Sequence, residues 1–140
     1  MDKPIWVIDE YGDTDDIVRG WDLPIFDRKV FGSYQGDIAY ILRNHDGQFG
    51  LSVFGYGTCS GCDYLKHISY AAEMSGDWSD MVAFSKDKLR EIHWESSMED
   101  LMAWVNESAD NGYNWWSYDD EAIEWLSSHG ANLPRQDSEL

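Results

Sequence analysis

The apolar residues of this 140-residue chain change their spacing at Cys62, and that change governs what the chain can fold into. Before it, apolar runs at residues 38–42 and 49–54 flank Asn44-His45-Asp46-Gly47. Asp-Gly between two such runs signals a β-hairpin, because Gly47 can take the positive φ that a tight turn requires. After it, Leu65, Ile68 and Ala72, with Tyr64 and Ala71 beside them, recur at the helical period up to Gly76. The first part therefore reads as strands and the second as helices.

The remaining elements follow the same logic. Residues 5–8 are an apolar run that reads as an opening strand, and the acidic stretch 9–16 reads as a loop. Residues 21–31 contain Pro24, which cannot donate to a ladder, so they predict an edge strand or extended segment. Met81, Phe84, Leu89 and Ile92 predict a second helix with a break near Ser85. Ser96 and Glu99 have capping-box spacing ahead of a third helix, whose buried stripe is Leu101, Met102 and Val105. Residues 117–120 open a fourth, with Ile123, Trp125 and Leu126 apolar and Gly130 at its C-terminal cap. The expected architecture is α+β: an N-terminal antiparallel β-meander of three or four strands packed with about four C-terminal helices. Residues 1–134 read as a single domain and residues 135–140 as a frayed tail.

Composition decides whether such a chain can fold at all. The formal net charge is -17, yet 43% of residues are hydrophobic and 15% aromatic, including eight Trp and eight Tyr, which is enough to build a core. No apolar run approaches the roughly 20 residues of a membrane span. Met1-Asp2-Lys3-Pro4 lacks the basic and then apolar regions of a signal peptide. Cys59 and Cys62 are too close together to staple a small secreted scaffold. These features predict a cytoplasmic protein. Its negative field repels nucleic acid and phospholipid headgroups and attracts basic partners.

Residues 54–63, Phe-Gly-Tyr-Gly-Thr-Cys-Ser-Gly-Cys-Asp, join the hairpin to the first predicted helix. A C-x-x-C at a helix N-terminus suits a stabilised thiolate, but Pro4, Pro24 and Pro134 are poorly placed to face a disulfide. As a zinc site, Cys59 and Cys62 supply two of four ligands, with His67 or His45 a third, and a dimer sharing four thiolates completes the set. The simplest reading packs both cysteines as small polarizable side chains under a Gly-rich turn. His45, His67, His93 and His129 are scattered, and neither cysteine has both a base and an orienting third group nearby in sequence, so no enzymatic activity is expected. Asp13, Asp15 and Asp16 begin like a calcium loop, but no Gly and Glu follow at EF-hand positions.

Residues 34–37, Tyr-Gln-Gly-Asp, followed by residues 55–63, Gly-Tyr-Gly-Thr-Cys-Ser-Gly-Cys-Asp, form a block that resembles one shared by small uncharacterised proteins of bacteriophages and some bacteria. The resemblance covers residues 34–63 and extends loosely into the Trp-rich helices. It implies a viral or mobile-element origin and carries no activity with it.

The acid is concentrated. Residues 91–134 hold ten carboxylates and no Lys or Arg, together with Trp94, Trp104, Trp115, Trp116 and Trp125. First-turn positions account for Glu99 and Asp100, and for Asp119, Asp120 and Glu121, because the helix dipole favours negative charge there. No compensating base follows in the later turns. Carboxylates four residues apart on a helix are about 6 Å apart along its axis, close to the roughly 6 to 7 Å between successive phosphates of one DNA strand. Glu91, Glu95, Glu107, Asp110, Asp120 and Glu124 are thus the candidate phosphate-like array, with Trp115, Trp116 or Trp104 as anchors. The expectation is a DNA-mimicking inhibitor of a host nucleic-acid-binding protein, such as a CRISPR effector, a restriction enzyme or a polymerase. The alternative is a non-enzymatic interaction module, zinc-stabilised or dimeric, that uses the Cys59–Cys62 loop as its contact.

Overall fold

A computed structural model describes residues 1–8, 13–32, 36–56 and 64–110, together with residues 124, 125 and 128. Four antiparallel strands lie side by side in sequence order: β1 (Ile25–Gly32), β2 (Gly36–Arg43), β3 (Phe49–Tyr56) and β4 (His93–Glu95). The hairpin forms where Asp-Gly predicted it. β2 and β3 pair without a slip from Gly36↔Tyr56 to Arg43↔Phe49. Between them Asn44 Oδ1 accepts from the backbone N–H of Asp46 (3.0 Å) and Gln48 (2.9 Å), and Gly47 sits at φ 78°. The side chain of Asn44 thus closes the turn that only Gly47 can complete without strain.

Helices cover both faces of the sheet, so the alternation of the strands sorts side chains into two cores. On one face Tyr40, Leu42 and Phe54 meet Ile17 and Val18 of α1 (Thr14–Gly20), Leu65, Ile68 and Ala72 of α2 (Tyr64–Ser75) and Met81 of α3 (Ser79–Arg90). On the other, Phe31, Ala39, Ile41, Phe49 and Leu51 meet Met98, Leu101 and Val105 of α4 (Met98–Asp110). Coverage on both sides makes Ala39, Tyr40, Ile41 and Leu42 a continuous buried run in β2, the pattern of an interior strand. Each fully buried Leu or Ile there contributes about 1.5–3 kcal/mol relative to exposure. Among the described residues, no helix is long and apolar enough to cross a membrane.

The α+β expectation holds, with corrections that each have a physical cause. Residues 5–8 form no strand: Val7 alone is buried, and its N–H bonds back to the Pro4 carbonyl at 3.1 Å. Residues 9–16 were expected as loop, but α1 begins at Thr14. Asp13 and Asp16 exchange side-chain and backbone hydrogen bonds (2.9 and 3.3 Å), a capping box that starts the helix. α3 runs unbroken through Ser85, whose hydroxyl and carbonyl both accept from Trp21 Nε1 at 3.1 Å. The cap of α4 is Ser97 rather than Ser96, its Oγ accepting from the Asp100 N–H at 3.1 Å. Tyr64 and Ala71 face out from α2, which ends before Gly76 as expected. The fourth strand does not belong to the N-terminal meander. β4 follows α3 and pairs with β3 only at Phe49, Gly50 and Leu51.

A buried hydroxyl fastens α1 to the sheet. Tyr40 is fully buried, and its Oη lies 2.7 Å from Thr14 Oγ1 while donating to Asp15 Oδ1 at 2.5 Å. Asp15 also accepts from Arg28 Nε of β1 at 2.9 Å. Burial drives the phenol well above its ordinary pKa of 10, and the hydrogen bond to Asp15 adds to the shift. A folded-state value raised above the unfolded one gives stability that is present below about pH 10 and lost as pH rises further, because the unfolded chain ionises first. Tyr40→Phe is expected to cost about 1–3 kcal/mol at neutral pH by orphaning the Thr14 hydroxyl. It should also lose stability less steeply than the parent between about pH 9 and 11. Urea unfolding of both proteins across that range checks this, and parallel pH profiles would contradict it.

A candidate acidic interface on α4

α4 is amphipathic in the simplest way. Met98, Leu101 and Val105 face the sheet, and the opposite side presents Glu99, Ala103 and Glu107 at four-residue spacing, with Asp100 beside them. All four are exposed. Eight residues separate the two glutamates, which is about 12 Å along the helix axis. Asp110 closes the helix.

Two of these acids are locally favoured and one is not. Glu99 and Asp100 lie in the first turn, where the N-terminal end of the helix dipole attracts negative charge. Asp100 also accepts from Ser96 Oγ at 3.0 Å. Glu107 sits near the other end, where the dipole repels it, and the last turn of α4 carries no basic residue. The bases lie on other elements. Arg19 pairs with Asp16, Arg28 with Asp15, Lys88 with Glu91 and Arg90 with Asp87. Lys29 and Arg43 lie over the rings of Phe31 and Phe49.

The other carboxylates expected in the array are distributed more widely. Glu91 caps the C-terminal end of α3 and is exposed, 3.8 Å from Lys88 Nζ. Burial lowers the pKa of Lys88, whose ammonium lies 4.8 Å from the centre of the Phe54 ring and donates to the Val53 carbonyl at 2.6 Å. Glu95 is a strand residue of β4, half-buried and in contact with His93 Nε2, so it does not continue a helical row from Glu91. The His93 ring stacks on Trp104 of α4 with centroids 4.0 Å apart and planes within 10°. That contact leaves Trp104 half-buried and committed to the seam between β4 and α4 rather than standing free as an anchor. Glu124 is exposed. Trp125 reaches back to β1, donating its Nε1 to Asp27 Oδ2 at 3.0 Å and meeting the Phe31 ring edge-on at 5.9 Å.

The structure therefore groups Glu107 and Asp110 on one helix with Glu99 and Asp100, and puts Glu91 and Glu95 on separate elements. Trp115, Trp116, Asp120, Cys59 and Cys62 lie outside the described residues, as does the side chain of Asp110. Among the described residues no group of three or more His, Cys, Asp or Glu is placed to hold a metal ion. The His93–Glu95–Trp104 seam escaped the sequence reading because a three-residue strand is too short to register as a period.

The chain matches no protein-family model, and no curated protein or solved structure is found similar to it. What defines its class is the architecture itself, a two-sided α+β sheet with a base-free acidic helix on one face.

Proposed function

We propose that the protein is a non-enzymatic inhibitor that occupies the basic surface of a host nucleic-acid-binding protein in the bacterial cytoplasm, with the outer face of α4 standing in for a run of phosphates. The observation that carries this reading is Glu107, exposed near the dipole-disfavoured end of a helix that holds no Lys or Arg. A surface kept in that state gives up folding stability, which selection tolerates where the charge has a use. The resemblance of residues 34–63 to bacteriophage-encoded proteins supports a host target such as a CRISPR effector, a restriction enzyme or a polymerase.

The test is capture from a bacterial lysate by the immobilised protein, repeated with excess duplex DNA and at rising salt. The expected result is a nucleic-acid-binding protein that duplex DNA displaces and whose retention falls steeply between about 50 and 300 mM salt. A captured partner indifferent to both DNA and salt would overturn the mimicry reading and move the contact to the loop containing Cys59 and Cys62.

A further inference from the structure

On the face of the sheet opposite α4, an open groove of about 740 Å³ runs between α1 and the start of β1. That volume is within the roughly 300–1,000 Å³ range of small-molecule sites. Its floor is Leu23, Pro24 and Ile25, the last 47% exposed despite being apolar. Arg19 and Asp15 line it from α1 and Arg28 from β1, and Asp22 stands at the turn between them.

Part of the frame is set before any ligand arrives. The capping box of Asp13 and Asp16 sets the start of α1, and the Pro24 carbonyl accepts from the Arg43 N–H at 3.1 Å. Trp21, just ahead of the turn, is anchored through its indole to Ser85. Arg28 is held by Asp15 at 2.9 Å and lies 5.8 Å from the centre of the Tyr40 ring. A partly pre-set frame reduces the ordering that binding would otherwise require.

The groove carries charges of both signs. A guanidinium has five N–H donors in a planar fork, and the ion pairs of Arg19 with Asp16 and Arg28 with Asp15 account for a minority of them. Asp22 is exposed, and its carboxylate makes no hydrogen bond or ion pair among the described residues. A simple anion would meet Asp15 and Asp22, and a simple cation would meet both arginines. We propose that the groove binds a small dipolar ligand of the α-amino-acid class, its carboxylate on Arg19 and Arg28, its ammonium toward Asp22 and its side chain on the Leu23–Pro24–Ile25 floor. This site is independent of the acidic face of α4.

Calorimetric titration of the whole chain with each common L-amino acid, at constant ionic strength, tests the site, with propionate and n-propylamine as single-charge controls. At least one amino acid is expected to bind with Kd below about 1 mM and about tenfold or more tighter than either control. Asp22→Asn and Arg19→Gln should each weaken that binding about tenfold or more, with the circular dichroism spectrum unchanged. Asp22 takes φ 56°, a conformation asparagine also tolerates, so that variant separates lost binding from lost folding. No amino acid binding below about 1 mM, a control binding equally well, or binding retained in either variant would each overturn the proposal.

Discussion

Alanine in place of Gly36 is expected to destabilise the protein by about 3 kcal/mol or more, the largest loss anticipated for alanine at any of the described glycines. A Cβ at position 36 would lie 1.9 Å from the Phe31 carbonyl oxygen, a backbone atom of β1 that no side-chain rotation can move aside. The same oxygen accepts a hydrogen bond from Tyr56 Oη at 3.1 Å, and Gly36 pairs with Gly32 across the ladder. Relief would have to come from parting β1 and β2, and that would also disturb the Tyr40–Asp15–Arg28 fastening. Gly55→Ala is the matched control. Its Cβ would have only Asp37 Oδ1 nearby, at an ordinary 3.9 Å, and the change should be close to neutral. Urea unfolding of the two variants beside the parent decides the matter, and equal midpoints would show that the β1–β2 approach is looser than described.

The second large effect is on binding, and it pairs two substitutions whose stability effects have opposite signs. Glu107→Lys replaces a disfavoured charge near the C-terminal end of α4 with a favoured one, so the isolated protein should gain about 0.3–1 kcal/mol. Glu99→Lys does the reverse in the first turn and should lose a similar amount. If α4 is the contact, both should nevertheless weaken the captured partner, and the double variant by about 100-fold or more, equivalent to about 2.7 kcal/mol. Folding stability and affinity would then be uncoupled in Glu107→Lys, which rules out unfolding as the reason for lost binding. Measured affinity that survives in the double variant would remove α4 from consideration.

Much of this was legible in the sequence wherever the determining interaction is local. The hairpin rests on Asp46-Gly47 and the end of α2 on Gly76, and the buried side of α4 follows from Leu101 and Val105 at helical spacing. The elements that escaped depend on distant partners or on weak apolar signals. β4 is three residues long and exists because His93 and Glu95 find Leu51 and Phe49 far back in the chain. α1 buries only Ile17 and Val18 as apolar residues, and its clearest signal was the Asp13–Asp16 box. The shortage of bases in the acidic half was plain from composition. That Glu91 and Glu95 would leave the helical row could not be read, since a strand interrupts the period there. The groove under Arg19 and Arg28 is assembled from a helix, a turn and a strand, and no sequence pattern marks such a meeting.

Lys88 has a consequence beyond its pairing with Glu91. β4 stops covering β3 at Leu51, and the next outward carbonyl, that of Val53, is taken by the ammonium of Lys88. A strand edge left open at that point is a template on which another chain can add itself, and a desolvated positive charge there makes such addition costly. The short reach of β4 is therefore tolerable because a lysine from α3 guards the carbonyl beyond it. Concentrated protein should resist the sheet-to-sheet aggregation that a half-covered edge would otherwise invite.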